Sequence, residues 1–203
     1  MGMDKALVEF RGQPLIVHAL QILRGAALSA AIAGGQPGLA GYAPVVPDLE
    51  PDLGPLAGVC AAIASTNARW AVFMPVDLPL LPASLVQFLH NRARATGHAI
   101  TLASVAGFAQ TFPAVIARAT LPSLQAELTA GHRGCFSAFK ASVASLEQTI
   151  DVIAAELIAH SGHVSHPEGL SPANWFLNIN SADDLRLAEA QGKTALADPD
   201  FIA

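Results

Sequence analysis

Residues 69–82, Arg-Trp-Ala-Val-Phe-Met-Pro-Val-Asp-Leu-Pro-Leu-Leu-Pro, change character halfway along. The first half is a continuous apolar run of strand length, the pattern of a strand covered on both faces. The second half is a turn broken by Pro75, Pro79 and Pro82 that carries a single acid, Asp77. A buried strand running into such a turn predicts a rigid scaffold that delivers one carboxylate to a sheet edge near water.

Working outward, the same alternation recurs. Towards the N-terminus, 54–66 (GPLAGVCAAIAST) has small apolar residues that let a helix pack closely on a sheet, 43–47 (APVVP) and 29–34 (SAAIAG) read as short strands, and 13–24 (QPLIVHALQILR) sets Leu15, Ile16, Ala19, Leu20 and Leu23 on one helical face behind Pro14. The opening Met1-Gly2-Met3-Asp4-Lys5 is expected to contain no strand. Towards the C-terminus come a return helix from Ala83, strands at 98–106 and 112–117, helical stretches around LPSLQAELTA and CFSAFKAS, and a loop over 160–174. WFLNIN, 175–180, reads as a last strand ending in Asn178 and Asn180, and Ser181 to Asp184 suit the N-terminus of a final helix. Strands and helices in alternation predict an α/β fold: a doubly wound, mostly parallel, Rossmann-like sheet with helices on both faces. One domain over 1–192 with a loosely held tail over 193–203 is expected.

Composition narrows the functional classes. Hydrophobic residues make up 52% of the 203 and charged ones 13%, which excludes a disordered chain. Eleven Lys and Arg against 16 Asp and Glu give a net charge of -5, so nothing attracts a nucleic acid or an anionic membrane in general, and any phosphate must be held locally. Mean hydropathy is +0.43, but the excess is mostly alanine and no run approaches the ~20 apolar residues of a membrane span. With only Cys60 and Cys135 and no apolar signal core at the start, the expected compartment is the cytoplasm.

In a doubly wound sheet, ligands bind beyond the carboxyl ends of the strands. That rule selects Asp48, after 43–47, Asp77, after 70–74, and the pair Asn178 and Asn180. Asp77 offers a hard oxygen suited to Mg²⁺, which takes one or two carboxylates and fills its shell with water and phosphate; the plain alternative is a turn aspartate capping the next helix. Lys5 beside Asp4 could neutralise phosphate charge, or be solvated like many lysines near chain starts. Asp48 shares an acidic loop with Glu50 and Asp52, which can equally be a solvated turn. Asn178 and Asn180, at alternate positions, share one side and can serve one polar ligand or the backbone of a neighbouring loop. His160, His163 and His166 read as loop histidines, Trp70 and Trp175 as core strand residues, and Arg133 as exposed. No G-x-G-x-x-G follows a strand and no phosphate-binding Gly-Lys-Ser/Thr loop is present, against a dinucleotide-dependent oxidoreductase or a P-loop NTPase.

Four segments, in order, resemble the molybdenum cofactor guanylyltransferases and their MobA-like NTP-transferase relatives: Met1-Gly2-x-Asp4-Lys5-Ala6-Leu7 with Gly12-x-Pro14-Leu15 and His18; Gly54-Pro55-Leu56-Ala57-Gly58; Pro75-Val76-Asp77-Leu78-Pro79, similar to P-C-D-x-P; and Phe176-Leu177-Asn178-Ile179-Asn180-Ser181 with Asp184-Leu185, similar to FxNINTPEDL. The resemblance spans almost the whole chain. It implies transfer of GMP from GTP to molybdenum-molybdopterin with release of pyrophosphate, dependent on Mg²⁺. By motif match it assigns Lys5 and Asp77 as catalytic, Lys5, Asp48 and Asp77 to the nucleotide, Asp77 to the metal, and Pro55, Leu56, Asn178 and Asn180 to the substrates. Its implied partners are these small molecules, with molybdoenzymes or cofactor-insertion proteins beyond them, and a monomer or weak homo-oligomer is expected.

Two departures stand out. The family opens with a strand and the loop L-A-G-G-x-S-x-R ahead of M-G-x-D-K, so this sequence starts at the Met of that pattern, with the first strand absent. The expectation is that the natural chain extends upstream, and that without this strand the sheet has two unpaired edges and a slot in its middle. Ala33 stands where the family often has asparagine, which leaves open a cytidylyl- or sugar-phosphate nucleotidyltransferase; the absent loop leaves open a catalytically silent binding protein.

Overall fold

A computed structural model describes residues 4–34, 37–48 and 53–194. After a single 3₁₀ turn, Lys5–Leu7, the elements are β1 (Glu9–Phe10), β2 (Gln13–Pro14), α1 (Leu15–Gly25), β3 (Ile32–Ala33), β4 (Val45–Val46), α2 (Pro55–Ala64), β5 (Trp70–Phe73), α3 (Ala83–Thr96), β6 (Ile100–Val105), β7 (Phe108–Ala117), α4 (Leu121–Thr129), α5 (Cys135–Ala144), β8 (Asp151–Ala154), α6 (Ala155–His160), α7 (Pro172–Trp175) and α8 (Ala182–Thr194). Among the described residues no helix is long and apolar enough to cross a membrane.

The main sheet has the order β5-β7-β6-β8. β7 runs antiparallel to both β5 and β6, and β6 is parallel to β8, so β5, β6 and β8 share one direction and β7 alone opposes it. β3 and β4 form a separate parallel pair. The α/β class and its directional bias therefore hold, while β6 and β7 are joined as a hairpin through Ala106 and Gly107.

Period-two side-chain alternation builds a core on each face. On β6 and β7, Ala103 and Val115 face the layer of α1 and α3 with Leu15, Leu85, Leu89 and Ala93. Leu102, Ala114 and Ile116 face the opposite layer of α2, α4 and α5 with Leu56, Ile63, Leu124 and Phe139. Arg92 on α3 binds Asp151 on β8 through two hydrogen bonds of 2.7 and 3.1 Å, which fixes the outer strand of the sheet.

The expectation of a fully buried strand at 70–74 is only half met. Trp70 to Phe73 are half-buried, whereas Ile100 to Ser104 on β6 are buried. The cause is a cavity of about 920 Å³ lined by Ala30 and Ile32 on one side and by Trp70, Val72 and Met74 on the other, with Ile16 and Leu20 of α1. Among the described residues β3 pairs only with β4 and β5 only with β7, so each turns an unpaired edge towards this space. Trp70 nevertheless anchors its ring by donating Nε1–H to His98 O at 3.3 Å.

Three sequence expectations are corrected. Residues 9–14 form a small antiparallel hairpin, β1 with β2, which takes Gln13 and Pro14 out of the helix expected over 13–24. Trp175 lies at the end of the short helix α7, not on a strand: Pro172 opens the turn and Trp175 is fully buried, its indole N–H bound to Leu170 O at 2.7 Å. Residues 177–180 consequently join no ladder and are held by single bonds described below. β8 and α6 had no counterpart in the sequence reading. The expected tail lies, from residue 195 on, outside the described residues.

The loop 161–171 closes over the Asp77 turn. His166 Nε2 meets Leu80 O at 3.1 Å, and His166 Nδ1 accepts the N–H of Glu168 at 3.1 Å, so the ring is neutral with its proton on Nε2. Burial first, and Arg11 nearby, lower its pKa below the ordinary 6.5 despite the opposing pull of Glu168 and the bond to Leu80. The unfolded chain then takes up this proton before the folded one does, so stability is full above pH ~6.5 and falls as pH drops towards the folded pKa. A series of thermal melts from pH 7.5 to 5.5 is expected to show a steeper loss of Tm for wild type than for His166→Asn; equal slopes would remove His166 from the explanation.

Candidate active site

Asp4 opens the first turn by accepting the Ala6 N–H on Oδ1 at 3.0 Å, which sends the Lys5 side chain across to the end of β5. Lys5 Nζ donates to Asp77 Oδ2 at 2.6 Å and to Asn180 Oδ1 at 2.5 Å. Two segments, 72 and 175 residues from Lys5, thereby converge on its ammonium. The Asp77 side chain is 16% exposed and that of Lys5 39%. Asp77 Oδ1 is buried and, among the described residues, has no hydrogen-bond partner. Asp77 does not cap the next helix, because α3 starts at Ala83 with Pro82 as its N-cap and no side-chain cap bond, and Lys5 is bonded rather than merely solvated.

The segment carrying the asparagines is tied down at both ends. Ile179, buried, donates its N–H to Asp77 O at 3.0 Å, leaving Asn178 and Asn180 exposed on either side. Asp184, in the first turn of α8, accepts the N–H groups of Asn180 at 3.0 Å and Ser181 at 2.8 Å and the Ser181 hydroxyl at 2.9 Å. The Ser181 hydroxyl bond first, then the Asn180 N–H, hold its carboxyl below the ordinary range. Asp184 thus sets the backbone angle at which Asn180 reaches Lys5. The spacing Ser181–Asp184 was visible as a helix start; its bond to Asn180 was not.

The remaining predicted residues divide. Asp48 follows β4, exposed, with its carboxylate against the backbone of Gly34 and Gly58, and makes no hydrogen bond or ion pair with Lys5 or Asp77. Pro55 is exposed at the start of α2, whereas Leu56 is completely buried in the core beneath that helix and presents no surface to a substrate. Glu50 and Asp52 lie outside the described residues. His160 ends α6, His163 contacts Ser161 and Phe88, and His166 clips Leu80, so the three histidines do not gather. Among the described residues no three His, Cys, Asp or Glu side chains form a metal cage.

A family model described as "MobA-like NTP transferase domain" matches residues 1–148. The chain belongs to this family. The MobA-like chain is 34% identical over 137 residues to a molybdenum cofactor guanylyltransferase of Pseudomonas putida, covering 65% of this chain and 71% of the relative. It is 31% identical over 202 residues to the molybdenum cofactor guanylyltransferase of Serratia proteamaculans (strain 568), covering 95% of this chain and 89% of the relative. Its fold matches that of molybdopterin-guanine dinucleotide biosynthesis protein A from Archaeoglobus fulgidus with a TM-score of 0.74 at 19% identity, over 95% of this chain and 92% of that one. The MobA-like matched region contains Lys5, Asp48 and Asp77, while Asn178, Asn180 and Asp184 lie beyond it and enter through the full-length relative.

Because the pKa of Asp184 is depressed, the stabilisation it gives is present above its unfolded value near 3.8 and lost as pH falls through the folded one. Asp184→Asn is expected to lower Tm by a constant amount between pH 8 and 5, with the gap to wild type closing in acid. A gap that persists below pH 3 would show that the carboxylate charge does not hold this turn.

Proposed function

We propose that the protein transfers GMP from GTP to molybdenum-molybdopterin, releasing pyrophosphate. The observation that supports it most directly is the meeting of Lys5, Asp77 and Asn180, each from a different family segment, at the carboxyl end of β5. The full-length likeness to the Serratia guanylyltransferase supports the choice of nucleotide and acceptor.

In this reading the phosphate of molybdopterin forms a bond to the α-phosphorus of GTP while the bond from that phosphorus to the β-phosphate bridging oxygen breaks, and pyrophosphate leaves with the electron pair. The attacking phosphate is already anionic, so no general base is needed, and the protein's contribution is alignment and charge neutralisation. Lys5 supplies a point charge to the phosphates. Its partly exposed pair with Asp77 contributes about 1 kcal/mol or less, so Lys5 can exchange a carboxylate oxygen for a phosphate oxygen at little cost. Asn180 offers an amide donor besides the oxygen that meets Lys5, and Asn178 a second amide, for the phosphates or the acceptor. Asp48 accepts hydrogen bonds from the nucleoside, and Pro55, exposed at the start of α2, contacts the substrates.

The donor set fits Mg²⁺. Asp77 Oδ1 is a buried, unpartnered carboxylate oxygen, and a single carboxylate with substrate phosphates suffices for this ion. Mg²⁺, when bound, supplies further positive charge and Lewis acidity at the phosphates.

The cavity between β3 and β5 has the unpaired edges and apolar walls that a further strand would use, and a Gly-rich loop after that strand would bring backbone N–H groups to the phosphates. The test is a thermal shift of the chain and of a version extended at its N-terminus by a strand and the loop L-A-G-G-x-S-x-R, with GTP, CTP and ATP, each with and without Mg²⁺. The extended protein is expected to melt several degrees higher and to be stabilised by GTP with Mg²⁺ alone, with Asp77→Ala abolishing the response and Lys5→Ala reducing turnover ~10²–10³-fold. A response to CTP would move the protein to the cytidylyltransferases, and no response from either version would make it a silent binding protein.

A further inference from the structure

Asp48 ends the β4 segment and is exposed, with none of the polar anchors that fix Asp77. Its position comes from elsewhere. Gly34 closes β3, its N–H bound to Val46 O at 2.9 Å, and Gly58 lies buried in the first turns of α2, which packs on β3 and β4. A Cβ added at Gly34 would stand 2.8 and 2.9 Å from the two carboxylate oxygens of Asp48 and 3.1 Å from its Cγ. One added at Gly58 would stand 3.3 Å from Asp48 Oδ1 and at ordinary contact, 3.9 Å, from Ala33. Two glycines from different elements thus leave a notch, and the carboxylate lies in it.

We propose that Gly58, together with Gly34, is a positioning residue that seats the Asp48 carboxylate for nucleotide binding. This rests on the reading above that Asp48 contacts the nucleotide. A carboxylate only accepts hydrogen bonds, so its use depends on where its oxygens stand relative to the N–H or O–H groups of a nucleoside. On a loop it would sample many rotamers; flattened against two backbones it loses that freedom before the ligand arrives, which favours binding by preorganisation. Gly34 has φ +61°, a conformation that glycine favours for its own reasons, so it alone would not argue for the notch. Gly58 does. It is helical, where alanine is the better residue, and its Cβ would crowd nothing but the carboxylate.

The two roles separate cleanly. A glycine kept only for backbone or packing reasons would lose stability on becoming alanine and leave nucleotide affinity alone. The seat predicts the reverse: Gly58→Ala keeps or raises Tm and weakens binding of GTP with Mg²⁺ by ~10-fold or more, as measured by calorimetric titration of the full chain. Asp48→Ala weakens it comparably, and the double variant Asp48→Ala/Gly58→Ala is no weaker than Asp48→Ala alone, since an empty seat holds nothing. If Gly58→Ala lowers Tm, the double variant must recover it, because the crowded group is gone. An effect of Asp48→Ala with none from Gly58→Ala overturns the seat and leaves the assignment of Asp48 intact. Additive losses, or a Tm loss that the double variant does not recover, also overturn it. No effect of Asp48→Ala overturns the assignment of Asp48, and the seat with it.

Discussion

The ion pair between Lys5 and Asp77 is the constraint around which the site is arranged. An ammonium can donate three hydrogen bonds, and two of them here reach Asp77 and Asn180, so one side chain from the start of the chain sets the spacing between the end of β5 and the segment before α8. Its energy is small, because Lys5 is more than a third exposed. What it contributes is geometry. The heavier fixing is done by backbone bonds, Ile179 N–H to Asp77 O and Asp184 to the N–H groups of Asn180 and Ser181, which keep the polar tips in place whether or not the ammonium stays.

This division of labour follows from the layers beneath. β5, β6 and β7 present alternate residues to two helical layers, so the sheet cannot shift without breaking both cores at once. Turns at strand ends inherit that rigidity, and loop 161–171 adds to it by holding Leu80 through His166. Asp77 therefore sits on a rigid base, whereas Asp48, at the end of the separate pair β3 and β4, lies against the backbone of Gly34 and Gly58.

How much was legible in the sequence depends on whether the signal was local. Asp77 was, because an apolar run turning into a Pro-broken turn specifies a strand end with no reference to the rest of the chain. Lys5 by composition was indistinguishable from a solvated lysine; its partners lie 72 and 175 residues away, and only the ordered family segments pointed to it. WFLNIN misled because its apolar residues look strand-like, while Pro172 and the buried indole of Trp175 turn its first residue into helix and the rest is held by isolated bonds, Leu177 N–H to Asn174 O, Ile179 N–H to Asp77 O and Asn180 N–H to Asp184. β8 was missed for a related reason: its first residue is Asp151, an acid that reads as a turn until Arg92 on α3 is seen to pair with it. Leu56 was placed at the pocket by motif, yet the helical period sends it into the core beside Pro55 at the surface.

The half-buried β5 links the fold to the chemistry. A strand at the middle of a doubly wound sheet is normally paired on both sides, and Trp70 to Phe73 are apolar enough to be so, yet one edge faces the cavity shared with β3. The residues beyond its end nevertheless hold their arrangement, because β7 registers the strand from the other side, Trp70 to Ala117 through Phe73 to Ala114, and Ile179 braces the turn. The polar half of the site, Lys5 with Asp77 and Asn180, is thus supported through β7 and through Ile179. The half that includes Asp48 is not, since among the described residues β3 and β4 pair only with each other and pack on α1 and α2. Whatever spans the cavity acts chiefly on the distance between these two halves, which is the distance a nucleotide must bridge between the groups assigned to its nucleoside and to its phosphates.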